Sequence, residues 1–225
     1  MFAKRIGLTA LVCLFGLTCP LPFGSELRAE LQAQTKRIEP TWESIREYPR
    51  YPEWLADAKF GIYIHWTPQT VCTERTNMTG YPAGMYNKLK DAFTYHRKHF
   101  GDQKEFGFKD FIPMFTAEHF DAEAWAETFS RAGAKFAGPV AVHHDNFAMW
   151  DSKVTPWNSV KMGPKRDVTG ELAKAIKARG MRFIATMHHS WTWGYFAPAG
   201  KYDGAAPNTW QLYGEPAETI VGSGD

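Results

Sequence analysis

The chain has 225 residues, 44% of them hydrophobic, which is enough for one domain with a substantial core. Charged residues make up 22% and the formal net charge is +2, so neither nucleic acid nor a membrane surface is implied as a partner. Aromatic residues reach 15%, with nine Trp, a content that suits either sugar sites, where rings stack on apolar C–H faces, or a large aromatic core.

Residues 1–29 read as a secretory signal. Lys4 and Arg5 precede an apolar run at 6–17, followed by Cys19-Pro20-Leu21-Pro22. The run is too short to span a bilayer. Cleavage is expected near Ala29 or Ala33, and Gly16-Leu17-Thr18 is a poor lead-in for a lipid anchor at Cys19. The expectation is an exported protein, periplasmic or extracellular, free of the membrane after cleavage. Cys13 and Cys19 leave with the signal, so Cys72 remains without a disulfide partner and without a Cys-based zinc site.

Residues 30–53 form a polar lead-in containing Pro49 and Pro52, and 53–58 predict a short helix. A strand is expected over 59–66, with Gly61 permitting close approach of a neighbour. Residues 67–107 show neither helical nor strand periodicity and read as a long loop over a site. A helix follows 108–115, capped by Asp121, with Trp125 and Phe129 on its buried face and Gly133 as the left-handed stop. The run 135–142 predicts a strand buried on both faces, ending in His143-His144-Asp145. Residues 151–164 are a Trp- and Pro-containing loop. Asp167 caps a helix with the stripe Val168, Leu172, Ala175 and Ile176, and Gly180 ends it as Gly133 ends the first. A third strand is expected over 181–187, running into His188 and His189. Beyond SWTWGYF no further element is expected in the Gly-, Pro- and Ala-rich tail.

The three strands share a plan: a basic residue, then Phe, then an apolar run closed by histidine. Strand and helix alternate as in parallel α/β proteins, which keep ligands at the C-terminal ends of their strands. If the strands are parallel, His65, His143, His144, His188 and His189 share one edge. Imidazole is the side chain most readily tuned near neutral pH, so this edge is the candidate site. The expected fold is α/β, a partial (β/α)8 barrel of about three βα units, since a full barrel needs eight strands and ~250 residues.

The ordered segments KFGIYIHW, FTAEHFDAEAWAETFSRAGAKF, HHDNFAMWDS and WNSVKMGPKRDVTGEL resemble the α-L-fucosidases of glycoside hydrolase family twenty-nine, over residues 54–193. The resemblance implies that 54–225 is part of a catalytic barrel with a retaining mechanism, in which one carboxylate attacks the anomeric carbon and a second acts as acid and then base. It implies sugar hydroxyls held by His65, His143 and His144, with Trp66 walling the pocket and His188 and His189 nearby. A neutral imidazole donates and accepts, so it matches a vicinal diol. The implied partner is a fucosylated glycan, and no cofactor or metal is implied.

Two departures stand out. The family carries Glu-Trp ahead of its Tyr-Pro, where this chain has Thr79-Gly80 before Tyr81-Pro82. The nucleophilic aspartate belongs on a later strand, so no catalytic carboxylate is assigned here, and Asp145 is expected to orient a neighbouring histidine. The resulting expectation is an α-L-fucosidase-like hydrolase truncated before its carboxylates and inactive alone. The alternative is a carbohydrate-binding remnant. A third reading is a metal-dependent hydrolase built on His65, His143, His144, Asp145, His188 and His189, against which the first strand lacks His-x-His.

Overall fold

The structure is a computed structural model that describes residues 39–47 and 51–214; the signal segment with Cys13 and Cys19, and Asp225, lie outside the described residues. Two compact units divide at Pro52. In the first, helix α1 (Trp42–Arg46) is capped by Thr41, whose hydroxyl accepts from the Ser44 N–H. The second holds the remaining elements, opening with α2 at Glu53–Ala58, as expected.

Its sheet has strands β1 (Gly61–Ile64), β2 (Phe136–Val142), β3 (Arg182–Phe183) and β4 (Thr186–Met187), all parallel to their neighbours. β2 is central, with β1 on one side and β3 and β4 on the other. Apart from Phe136, every residue of β2 is buried, the both-faces burial that its unbroken apolar run anticipated. Gly61 lies beneath the Phe136 ring, 2.2 Å from where a Cβ would sit.

The third strand is interrupted, where a continuous one was expected. Opposite the gap between β3 and β4 lie Gly138 and Pro139 of β2. Pro139 has no N–H to give the ladder, and a Cβ on Gly138 would meet the Ile184 carbonyl oxygen at 1.6 Å. The chain therefore crosses close to β2 at Ile184 and resumes pairing with a register shift at Val140/Val142.

The expected loop at 67–107 is helical, carrying α3 (Gln69–Thr76), α4 (Tyr81–Gly84) and α5 (Asp91–His99). It lacks periodicity because α3 is rich in Thr rather than in a periodic apolar stripe. Thr73 and Thr76 turn their hydroxyls back to the carbonyls of Gln69 and Cys72. In α5, Asp91 opens the helix and His96-Arg97-Lys98-His99 closes it, a charge order that favours the backbone dipole. A short α6 (Phe108–Phe111) and a 3-10 turn at Ile112–Met114 lead to α7 (Ala122–Arg131).

Asp121 caps α7 through the N–H groups of Glu123 and Ala124, and Asp167 caps α8 (Val168–Ala178) through that of Gly170. Gly133 and Gly180 both take positive φ behind their helices. Val168, Leu172, Ala175 and Ile176 are buried as expected, and α8 packs on α7 and β2.

SWTWGYF carries α9 (Thr192–Tyr195), and the tail beyond it, expected to hold no element, forms 3-10 turns at Ala197–Lys201 and Asp203–Ala205 and α10 (Trp210–Tyr213). A buried polar knot ties it down. The Asp203 carboxylate accepts from the hydroxyls of Tyr86 (2.7 Å) and Tyr213 (2.5 Å), which accept in turn from the N–H groups of Phe108 and Lys109. Such a long-range contact leaves no local pattern in the sequence.

Candidate functional site

His65 follows β1, His143 and His144 follow β2, and His188 follows β4, so parallel pairing brings four imidazoles to one end of the sheet. Their ring centroids lie 5.5 Å apart for His65–His143 and His65–His188, 5.1 Å for His143–His188, and 4.7 Å for both His143–His144 and His144–His188. His144 Nδ1 lies 3.0 Å from the His188 carbonyl oxygen. A carbonyl only accepts, so Nδ1 is the donor in this contact. Tyr63 Oη is 2.9 Å from His188 Nε2. Nδ1 of His143 and Nδ1 of His188 are buried without a hydrogen-bond partner among the described residues.

Two of the expected site residues stand apart. Trp66 does not wall the cluster: it packs on Phe115, Phe120 and Trp125, at centroid distances of 4.8, 5.2 and 5.1 Å. Adjacent residues of an extended segment face opposite ways, so a site-facing His65 sends Trp66 to the core. His189 is exposed and borders a separate depression of about 360 Å3 with Asn146, Val154, Thr155 and Trp210. In their place the structure supplies Tyr63, Trp191 and Tyr195. The Trp191 and Tyr195 rings lie 5.0 and 5.6 Å from that of His144. Tyr63 was legible, two residues before His65 and so on the same face; Trp191 and Tyr195 are spaced as i, i+4 in SWTWGYF, although a 3-10 turn (His189–Trp191) gives way to α9 between them.

Asp145 does not orient a histidine. Its fully buried carboxyl accepts from the Thr67 hydroxyl (2.9 Å) and the Phe147 N–H (3.2 Å). It thereby ties the segment leaving β1 to the segment leaving β2. Burial pushes this carboxyl up to about 7, against the weaker pull of those two hydrogen bonds.

Burial lowers His143 to about 4, helped by repulsion from His144, His188 and His65. Burial also lowers His65 and His188, each with repulsion from His144 behind it. These three rings are neutral at pH 7, each with one donor and one acceptor nitrogen. The charges acting on them come from other imidazoles and from no carboxylate among the described residues. The cluster therefore suits recognition of a polyol, whose hydroxyls need paired donors and acceptors, rather than paired-carboxylate chemistry.

His143, His144 and His188 each offer a nitrogen within 4.8 Å of the others, a spacing that three ligands to one cation require. The larger ligand set of the metal reading is not assembled, since Asp145 faces Thr67 and Phe147 and His189 lies in its own depression.

A family profile described as Alpha-L-fucosidase matches residues 26–218. Tissue alpha-L-fucosidase of Mus musculus is 33% identical over 166 residues, covering 69% of this chain and 33% of that protein. The Thermotoga maritima alpha-fucosidase in complex with a mechanism based inhibitor is 39% identical, with a TM-score of 0.59 over 70% of this chain and 39% of that one. The same enzyme in complex with fucose is 38% identical with a TM-score of 0.56. The chain spans about a third of the length of the curated relatives it matches.

Proposed function

The chain belongs to the alpha-L-fucosidase family, and from that premise we propose that it serves the retaining hydrolysis of α-L-fucosyl linkages on glycans, supplying the sugar-recognition part of the site. The observation that carries the reading is the convergence of His65, His143, His144 and His188 from three strand positions at one end of the sheet, with ring centroids 4.7–5.5 Å apart. The neutral rings of His65, His143 and His188, with a donor and an acceptor each, match the hydroxyls of a deoxyhexose, and Trp191 and Tyr195 offer aromatic faces for its apolar side. Fucose bound to the Thermotoga maritima relative is consistent with this choice of sugar. The proposed setting is outside the cytoplasm, a reading supported by the leader-like pattern of Lys4 and Arg5 before the apolar run at 6–17.

Retaining hydrolysis needs two carboxyl groups about 5–5.5 Å apart across the scissile bond. The carboxylate built into the frame of the site, Asp145, has both oxygens engaged by Thr67 and Phe147. The proposed role of this chain by itself is therefore binding without turnover. Titration with L-fucose, followed by NMR or calorimetry, is expected to show saturable binding that His143→Ala and His144→Ala abolish. An aryl α-L-fucoside is expected to release no phenol. Absence of fucose binding, or binding indifferent to both substitutions, overturns the reading; release of phenol overturns the restriction to binding.

A further inference from the structure

The aromatic side of the imidazole cluster borders a larger space. Trp191 and Tyr195, beside His144, also line a cleft of about 740 Å3 whose other border is formed by Met78, Thr79, Gly80 and Ala83. The cleft is open at Gly80, where a Cβ would meet nothing within 4 Å. The Trp191 indole is 59% exposed, so it is available to stack. Asn87 and Pro198 border this cleft and also a second cavity of about 770 Å3, so the two lie side by side.

That second cavity is basic. Lys88, Arg97, Lys104 and Lys201 line it around Phe93 and Tyr202, with Asp102 as its one acid. Arg97 is committed: it pairs with Asp102, donates to Gln103 and lies over the Phe93 ring. Lys88, Lys104 and Lys201 are exposed and enter no ion pair among the described residues. Three ammonium groups around two aromatic rings, next to an aromatic cleft that borders the histidines, suit a chain of sugars with negative charge at its far end.

We propose that the cleft and the cavity together bind the remainder of the glycan, an anionic oligosaccharide bearing sulfate or carboxylate groups, with its fucosyl end at the histidines and its charged units among Lys88, Lys104 and Lys201. The inference rests on the fucosyl reading above and deepens it. Rings of the bridging sugars stack on Trp191, and the charged substituents pair with the three ammonium groups.

The test uses the full chain and three probes: a neutral fucosyl oligosaccharide, a sulfated one, and one carrying a uronic acid. The sulfated or the carboxylated probe is expected to bind about tenfold or more tighter than the neutral one at low salt. That gain is expected to vanish in the K88Q/K104Q/K201Q variant and at high salt, while the neutral probe binds the variant as it binds the wild type. Trp191→Ala is expected to weaken all three. The two anionic probes separate sulfate from carboxylate as the source of the charge. Equal affinity of neutral and anionic probes, a gain that survives the triple substitution, or no binding of either anionic probe overturns the inference. Failure of the fucosyl reading looks different: His144→Ala would leave the neutral probe unaffected.

Discussion

Asp145 and His143, two residues apart, carry opposite proton linkages. The imidazole sits at about 4 in the fold against an ordinary 6.5, so it binds fewer protons folded than unfolded between those values. Its contribution to stability is full above 6.5 and is lost as pH falls through about 4. The carboxyl sits at about 7 against 3.8, so it binds more protons when folded. Its contribution is full below 3.8 and is lost as pH rises through about 7. The two slopes oppose each other across the same window. Asp145→Asn removes the second, so the variant's melting temperature is expected to climb more steeply than the wild type's from about pH 4 to 6.5; parallel curves would refute the assignment. Fucose binding is expected to fall over the lower part of that window, because a protonated His143 donates at both nitrogens and accepts at neither. Cys72 gives an independent check on the fold. It is fully buried and its thiol is held well above the usual range, first by burial and then by Asp145. A thiol reagent is expected to label it at the rate of unfolding and not before; rapid labelling of the native chain would contradict the burial.

Residue types were legible in the sequence where a local rule fixes them. A histidine closing an apolar run can be read from the run itself, and so can an aspartate one residue ahead of a helix. Direction follows from alternation, which the expectation for Trp66 left aside: His65 and Tyr63 share a face, and Trp66 takes the other. The bond from Thr67 to Asp145 joins residues 78 apart, and no spacing in the chain announces it.

At the scale of elements, the caps and stops show how far local rules reach. Asp121 and Asp167 each satisfy backbone N–H groups that a helix leaves open, and Gly133 and Gly180 reverse the chain behind. Asp121→Ala is expected to cost about 0.5–2 kcal/mol, read from chemical denaturation. The Gly138-Pro139 pair carries a local signal of its own. Proline inside a central strand predicts a broken ladder, and the break appears between β3 and β4. Because the atom facing Gly138 is the backbone oxygen of Ile184, it cannot rotate away. Gly138→Ala is expected to destabilise by about 3 kcal/mol or more, beyond Gly61→Ala, where the obstacle is the Phe136 side chain. An equal or smaller loss at Gly138 would mean that the sheet relaxes there. The helices at 67–107 escaped a periodicity search because their polar groups are satisfied within the helix, and charge order along α5 was the one signal that periodicity ignores.

For the second unit as a whole, the balance lies between a well-filled interior and an open sheet edge. The core holds Tyr81, Tyr86, Phe108, Phe111, Phe147 and Phe196 fully buried, so the aromatic content proves to be core as well as site. Yet β1 pairs with β2 alone among the described residues, and its outer side presents backbone groups that a further strand can use. Phe60, just ahead of β1, is 47% exposed, and Tyr63 within it 45%. An open edge flanked by apolar side chains is a template for pairing with a second copy. Sedimentation velocity is expected to show the weight-average mass rising with concentration through the micromolar range. A lysine beside an edge strand opposes such pairing by burying a charge in any second sheet. Phe60→Lys is accordingly expected to hold the chain monomeric without lowering its melting temperature, since the Phe60 carbonyl that accepts from the Lys135 N–H is unchanged by the substitution. A wild-type chain that stays monomeric at every concentration would show that the edge is protected by residues beyond those that pair with β2.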